Sequence, residues 1–170
     1  SSTEYTMAFY DHAKDSWTKC QNLPSTRSRN GVAIVGTQIF AIGGYDGMNR
    51  LKSVDVYDAM ADKWEKTADM NTERSAMGTG VIDGKIYAAG GYNGQALNSM
   101  EMLNPADAEP AWTLMAAMTH HRCAPASCLL NGKLYGTVDY VDGSSFLREA
   151  ERYDPMTNTW TSIMQTNERR

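Results

Sequence analysis

The chain has 170 residues, 42% of them hydrophobic, which is enough to bury one ordinary core and excludes a segment disordered by composition. Its formal net charge is −4, a balance that argues against a nucleic-acid-binding surface. Its apolar runs are all far shorter than the ~20 residues that a membrane-spanning helix needs. Neither nucleic acid nor a membrane is therefore expected as a partner.

The first 26 residues predict two short strands joined by a polar turn. The stretch YTMAFYD alternates apolar and polar residues, and SWTKC follows it after the turn DHAKD. Residues 27–73 then predict four strands in order, with the sequences GVAIV, QIFAI, SVDVYD and KWEKT. Since the last two of these strands match the two in residues 1–26, we interpret residues 1–26 as the second half of such a unit.

Two further units repeat this order. Residues 74–121 contain MGTGVI, KIYAAG, SMEML and AWTLM, and residues 122–169 contain APASCLL, KLYGTV, EAERYD and NTWTSI. The first two strands are separated by Gly36-Thr37, Asp83-Gly84 or Asn131-Gly132. Asp-Gly and Asn-Gly supply the positive φ angles that a two-residue hairpin turn requires. The second strand is followed in each unit by a polar loop: YDGMNRLK, YNGQALN or YVDGSSFLR.

Single residues recur in register throughout the chain. All four tryptophans lie 47 or 48 residues apart, and an arginine follows ten residues after each: Trp17, Trp64, Trp112 and Trp160; Arg27, Arg74, Arg122 and Arg170. A glycine pair follows two of these arginines, and a tyrosine precedes three of the tryptophans: Gly43-Gly44 and Gly90-Gly91; Tyr10, Tyr57 and Tyr153. The departures are Leu103 in place of a tyrosine and Val138-Asp139 in place of a glycine pair. A fixed period of this length is the signature of a repeat architecture.

The fold class follows from the repeat. One four-stranded sheet cannot bury both of its faces alone, so such sheets become stable by stacking face to face around an axis, as in a propeller. Space narrows toward the axis, so the small strands GVAIV, MGTGV and APASC are expected to be innermost. We predict an all-β fold, a partial propeller of about three and a half four-stranded antiparallel blades. Because the chain begins and ends inside a unit, we expect it to be a piece of a longer protein.

These positions resemble the kelch repeat, whose pattern is an arginine, a small apolar strand, a strand ending in a glycine pair, a tyrosine and a tryptophan. The stretches GGYDG, SVDVYD and ERYDPMTNTW are most similar to the propellers of kelch-like proteins that also carry BTB and BACK domains. The resemblance covers nearly the whole chain. It implies a propeller of six repeats, of which this chain holds three and a half, and an altered strand end at Val138-Asp139.

The resemblance also implies a protein-interaction module that captures a short partner segment on one loop face. Strand connectivity brings two loop families to that face, and their arginine, tyrosine and amide side chains are of types found at interface hot spots. The local surplus of arginine on an acidic chain favours an acidic segment as partner. The candidate contact residues are Arg29, Tyr45, Asn49, Arg50, Arg74, Tyr92, Asn93, Gln95, Arg122, Tyr140, Ser144 and Phe146.

Several alternatives remain open. Arg74 and Arg122 are equally suited to tying adjacent loops together, since a guanidinium can bridge carbonyl groups. By resemblance the module serves a cullin-3 ubiquitin ligase through a BTB domain, or instead binds or cross-links actin. A copper oxidase or sugar-modifying enzyme is the least favoured interpretation, and no catalytic, cofactor-binding or metal residue is assigned. The spacing of His120, His121, Cys123 and Cys128 does not fit the usual zinc pairs.

Two further expectations concern the cysteines with the cellular location, and the completion of the propeller. The three cysteines, Cys20, Cys123 and Cys128, lack framework spacing and are expected to be thiols, which together with the absence of an Asn-x-Ser/Thr sequon favours a cytoplasmic location. An incomplete ring leaves a strand edge and open sheet faces, which invite association. We therefore expect further blades of the same protein, or another chain, to complete the propeller.

Overall fold

The computed structural model describes residues 6–123, 126–137, 140–141, 145–146 and 149–163. Within these residues the secondary structure consists of sixteen β-strands. The described part of the chain holds no helix long and apolar enough to cross a membrane. The strands are β1 Ala8–Asp11, β2 Ser16–Lys19, β3 Gly31–Val35, β4 Gln38–Tyr45, β5 Arg50–Asp58, β6 Lys63–Lys66, β7 Gly78–Ile82, β8 Lys85–Ala89, β9 Met100–Leu103, β10 Thr113–Met115, β11 Ala126–Leu130, β12 Lys133–Thr137, β13 Tyr140–Val141, β14 Ser145–Phe146, β15 Ala150–Asp154 and β16 Thr159–Ile163.

The sheets confirm the predicted all-β partial propeller. Strands β1 and β2 form a two-stranded half blade, and three four-stranded antiparallel sheets follow in the orders β3-β4-β5-β6, β7-β8-β9-β10 and β11-β12-β15-β16. We call these three sheets the first, second and third blades. The third blade differs because the small hairpin β13-β14 is inserted between its second and third strands. Val138-Asp139, where the glycine pair is replaced, lies outside the described residues.

The hairpin joints have the backbone that their sequences predict. Asp83 and Gly84 have φ values of 49° and 72°, and Asn131 and Gly132 have values of 50° and 68°. Two consecutive positive φ angles match the right-handed twist of the flanking strands and close the hairpin in two residues. The register Ile82↔Lys85 and Leu130↔Lys133 follows directly.

The loop after the glycine pair is shorter than the sequence predicts in the first blade. Strand β4 continues through Gly44 to Tyr45, which pairs with Arg50 at the start of β5. A register shift between Ile42 and Gly44 makes this extension possible, because a bulge bends the strand and re-aims its end. Only Asp46–Asn49 remain as a loop, so Tyr45 and Arg50 are held on paired strands.

The first strands of successive blades lie side by side, β3 against β7 and β7 against β11, as the narrow axis requires. A Cβ on Gly31 would lie 2.5 Å from Cγ2 of Thr79, so small residues are needed where these strands meet. Two apolar clusters fill the space between blades. The first joins the first and second blades through Phe40, Ile42, Val54, Met70, Ile86, Leu103 and Trp112, and the second joins the second and third blades through Tyr87, Met100, Met118, Leu134 and Tyr153.

The repeated tryptophans form hydrogen bonds between each sheet and the one before it. The indole N–H groups of Trp64, Trp112 and Trp160 donate to the carbonyl oxygens of Gln21, Ala68 and Ala116, at 3.0, 2.9 and 2.9 Å. Trp112 is 6% exposed within the first cluster, whereas Trp17, in the half blade, is 73% exposed. The half blade therefore presents a large aromatic surface that the second blade buries at the equivalent residue, Trp112.

We predict that the 170-residue chain does not persist in solution as a closed monomer. Phe9 and Trp17 are more than half exposed on the half blade, and surfaces of this kind associate. Size-exclusion chromatography with light scattering is expected to show association that depends on concentration. A monodisperse 18.8 kDa species that unfolds in a single cooperative transition would contradict the prediction.

Candidate partner-binding face

Two families of loops meet along one edge of the blades. The segment before β3 pairs with the end of β4 through the bridge Ser28↔Tyr45, and the segment before β7 pairs with the loop after β8 through Ser75↔Tyr92. The segment before β11 instead pairs with the loop of the preceding blade, through the bridge Leu97↔Arg122. Backbone pairing therefore holds both loop families together on this edge, which we call the loop face.

The glycine pairs allow this close approach. Gly43 and Gly44 have φ values of 56° and 105°, a region that L side chains rarely adopt. The Gly44 N–H donates to the Arg74 carbonyl at 2.8 Å, and a Cβ on Gly44 would lie 2.8 Å from the Ser28 carbonyl oxygen. The pair thus places the following residue, Tyr45, against its neighbours without steric conflict.

Arg50 lies at the junction of two blades, between two of the predicted tyrosines. Its guanidinium carbon is 4.5 Å from the centre of the Tyr92 ring and 5.9 Å from that of Tyr45. Both distances are within the range of a cation–π interaction, which restrains the charge without using its N–H donors. Among the described residues, Arg50 forms no ion pair and its Nε has no hydrogen-bond partner. The Arg50 guanidinium is therefore held in place by the two rings, and its N–H groups make no hydrogen bond within the described residues.

Arg29 is exposed beside the same face, and the next blade holds its backbone. Its φ is 51°, and its carbonyl accepts a hydrogen bond of 2.8 Å from the Ala76 N–H. A non-glycine residue at positive φ is strained and persists where surrounding contacts determine it. Asn49, Asn93 and Gln95 are also exposed on the loops. The structure thus brings together seven of the predicted contact residues: Arg29, Tyr45, Asn49, Arg50, Tyr92, Asn93 and Gln95.

Asp46 is an acid on this face, but its carboxylate is hydrogen-bonded within its own loop. Its carboxylate accepts hydrogen bonds from the backbone N–H groups of Asn49 and Met48, at 2.6 and 2.8 Å. These bonds lower the pKa of Asp46 below its ordinary value because they favour the charged form. Asp46 thus shapes its own turn and, within the described part of the chain, forms no ion pair with Arg29 or Arg50.

The prediction that Arg74 and Arg122 contact a partner is corrected by the structure, because both side chains are 0% exposed. Arg74 donates to the carbonyls of Gly90 and Ser99, both at 2.9 Å, and to Glu101 through Nε at 3.2 Å and Nη2 at 3.1 Å. Arg122 bonds Glu151 in the same manner, through Nε and Nη2 at 3.1 and 2.9 Å. The loop-tying interpretation of these two arginines is the one that the structure supports.

Three such arginine–carboxylate pairs recur, one per blade, and we call them the buried clasps: Arg27–Asp55, Arg74–Glu101 and Arg122–Glu151. In the second and third clasps the acid also accepts backbone N–H groups from the loop before the arginine. Asn71 N lies 2.6 Å from Glu101 and Thr119 N lies 2.7 Å from Glu151. Each of these two acids thus joins a strand to the loop that enters its own blade.

The clasp shifts the ionisation of its members. Burial lowers the pKa of Arg74, and the charge of Glu101 offsets part of that shift. Burial alone would raise the pKa of Glu151, but hydrogen bonds from Thr119 and Arg122 outweigh it and hold that pKa below its ordinary value. The stabilisation from Glu151 is therefore present above its unfolded pKa and is lost as the pH falls through its folded pKa.

The clasp acids are functional partners that the sequence analysis missed. Each acid stands two residues before the recurring tyrosine or its replacement: Asp55 before Tyr57, Glu101 before Leu103 and Glu151 before Tyr153. A buried arginine needs a charged partner, so an acid at a fixed position of the third strand was the available signal.

The remaining predicted contact residues are only partly described. The backbones of Tyr140 and Phe146 pair with each other in the β13-β14 hairpin, and their side chains lie outside the description. Ser144 lies outside it altogether. The interaction of these three residues with a partner stays a prediction.

The histidine and cysteine residues do not assemble a metal centre in the described part of the chain, where no group of three such ligands occurs. His121 Nδ1 lies 2.8 Å from the Ala96 carbonyl, and His120 lies 3.7 Å from both Glu149 and Glu151. Cys20 and Cys123 are thiols, as expected, and the Cys128 side chain is outside the description.

Comparisons with known proteins agree with this architecture. The family model described as the Kelch motif matches residues 26–71, 73–119 and 141–166. Among solved structures, the one titled "Structure of YjhT" matches with a TM-score of 0.84 and 13% sequence identity. The match covers 98% of this chain and 60% of that one, so the likeness shows the fold alone. With the family model matching most of its length, the chain belongs to the kelch-repeat family of β-propellers.

Proposed function

We propose that this chain is the substrate-recognition part of a kelch-like adaptor for a cullin-3 ubiquitin ligase, and that its loop face binds a short acidic segment of a protein partner. The single observation that carries the proposal is the placement of Arg50 between Tyr45 and Tyr92, with no carboxylate paired to it among the described residues.

The charge on the loop face supports an acidic partner. Arg29 and Arg50 are both outside the ion pairs of the described residues, while the carboxylate of Asp46 is engaged by its own loop. The face therefore carries two guanidinium groups without carboxylate partners among these residues, on a chain whose net charge is −4. A guanidinium fork held by aromatic rings suits a carboxylate, which accepts two parallel N–H bonds.

The groups around the two arginines add selectivity. Tyr45 and Tyr92 are half-buried and offer ring surface, whereas Asn49, Asn93 and Gln95 are exposed and offer amide donors and acceptors. Aromatic anchors surrounded by adaptable polar groups are the arrangement found at protein-recognition surfaces. We propose recognition of an extended segment that lies across the first two blades.

The ligase half of the proposal depends on the family resemblance. Kelch-like adaptors join the propeller to a BTB domain that recruits cullin-3, and they act in the cytoplasm, so we propose the same setting here. The module would then hold the partner without catalysing its modification. A BTB domain encoded upstream in the full-length gene is the observation that favours this assignment over actin binding.

Arg29→Ala and Arg50→Ala are each expected to weaken binding of an acidic segment by about 2–5 kcal/mol, because truncation leaves a desolvated carboxylate without its partner. The measurement is fluorescence anisotropy with labelled acidic peptides selected on an array, repeated at two salt concentrations. The matched control is Lys63→Ala, which removes an exposed cation from β6.

The acidic-segment proposal would be abandoned if both arginine variants kept the parent affinity and salt dependence while remaining folded. Serine-substituted versions of each peptide provide the ligand control, since they remove the carboxylate and keep the length. Co-sedimentation with actin filaments in the same buffers separates the two family functions.

A further inference from the structure

The first clasp is built differently from the other two. Asp55 stands where the second and third blades have a glutamate, and its side chain is one methylene shorter. It accepts Arg27 Nη2 at 2.7 Å and the Ser25 hydroxyl at 3.3 Å. Within the described part of the chain, Arg27 Nε and Asp55 Oδ1 have no hydrogen-bond partner, although both side chains are only 2% exposed. One buried donor and one buried acceptor are thus unsatisfied in this blade.

The loop that enters the first blade also lacks the usual donors. Pro24 occupies the position of Asn71 and Thr119, three residues before the repeat arginine. Both of those residues give a backbone N–H to the clasp acid, and proline has none. Asn71 contributes its side chain too: its Nδ2 donates to Glu101 Oε1 and to the Trp112 carbonyl, both at 2.9 Å. A backbone N–H therefore bonds the acid in both of those clasps, and the second blade shows that a primary carboxamide can bond it as well.

A cavity of about 350 Å³ lies at this place in the first blade. Its lining includes Ser25, Thr26, Arg27, Asp46, Asp55 and Lys66. The two carboxylates and the two cations among these residues balance, so the cavity favours a neutral polar ligand over an ion. An unsatisfied buried acceptor is destabilising, and a ligand that donates to it recovers that free energy.

We propose that this cavity binds a primary carboxamide, the group at the end of asparagine and glutamine side chains, supplied by a protein partner. The amide N–H donates to Asp55 Oδ1, in the role that Asn71 has toward Glu101. The carbonyl oxygen of the ligand accepts a hydrogen bond, for which the lining offers the Thr26 hydroxyl and the Lys66 ammonium. The cavity shares Asp46 with the loop face but is lined by neither Arg29 nor Arg50, so this proposal does not depend on the acidic-segment proposal.

The test uses capped single amino acids as probes on the ¹⁵N-labelled 170-residue chain. N-acetyl-asparagine methylamide is expected to shift the backbone amide resonances of Ser25, Thr26 and Lys66 in a saturable manner. The capped aspartate and capped leucine are close in size and have the same backbone amides but lack the side-chain carboxamide, so they are expected to bind about tenfold more weakly, the equivalent of one hydrogen bond. Equal shifts from all three probes, or none from asparagine, would overturn the proposal.

A pair of variants supplies the second test. Pro24→Asn places a carboxamide at the position of Asn71, so it is expected to abolish the shifts caused by the capped asparagine. Pro24→Ala restores the same backbone N–H as Pro24→Asn but adds no side-chain carboxamide, so it is expected to retain more of those shifts than Pro24→Asn does. Pro24→Asn should melt at a higher temperature than Pro24→Ala, since both variants restore a backbone N–H at position 24 and only asparagine adds a carboxamide that can also bond Asp55. Shifts that persist in Pro24→Asn, or equal melting temperatures for the two variants, would contradict the assignment.

Discussion

Arg74→Ala is expected to destabilise the chain by about 3–5 kcal/mol, a large share of the stability of a small domain. The side chain is 0% exposed and bonds Glu101, Gly90 and Ser99. Its removal leaves the Glu101 carboxylate buried without its countercharge and two carbonyl groups without a donor. The penalty comes mainly from the groups left behind rather than from the lost attraction.

Urea unfolding followed by tryptophan fluorescence measures this effect. The double variant Arg74→Met with Glu101→Leu removes both charges, and it is expected to recover part of the loss because no unpaired charge remains buried. Arg29→Ala is the matched control, since Arg29 is exposed and two residues from a repeat arginine. A parent-like midpoint for Arg74→Ala would show that the clasp does not stabilise the blades.

Trp112→Ala is expected to destabilise the chain by about 3–5 kcal/mol, the range for truncating a large buried aromatic side chain. Trp112 packs in the apolar cluster between the first and second blades, and its indole N–H bonds the Ala68 carbonyl. Truncation would leave a cavity at this interface and an unsatisfied carbonyl. Both defects act on the junction of two blades, so their docking should weaken together.

The equivalent substitution in the half blade provides an internal control. Trp17 occupies the same repeat position but is 73% exposed, so Trp17→Ala is expected to change the unfolding free energy by less than about 1 kcal/mol. Differential scanning calorimetry of both variants makes the comparison at matched protein concentration. Equal losses for Trp17→Ala and Trp112→Ala would refute the view that contact between blades determines the contribution of each tryptophan.

Much of the fold could be predicted from turn residues with a strong backbone preference and from residues that recur at a fixed period. Asp83-Gly84 and Asn131-Gly132 specify their turns by backbone preference alone, and the tryptophans mark the period because each blade repeats one buried contact. The order of four strands per blade followed from the same repetition. The turn signals are local and the repeat is visible as a recurrence along the chain, so one sequence was sufficient to detect both.

The candidate site was harder to predict because exposure is a tertiary property. Arg29 and Arg74 lie on similar polar loops, yet one is exposed and the other is buried against Glu101. The extension of β4 to Tyr45 depends on a bulge after Ile42, which pairing across the sheet creates. The position of Arg50 between rings of two different blades likewise required the blades to be assembled.

The indole bonds between blades have a consequence for synthesis of the chain. Each acceptor carbonyl precedes its tryptophan by 43 or 44 residues, so it has already left the ribosome when the tryptophan emerges. A new blade can therefore dock on a finished neighbour instead of waiting for residues not yet made. Repeat proteins whose contacts are confined to neighbours can grow by such propagation. The tryptophan of each blade thus bonds the blade before it, which is the blade that translation completes first.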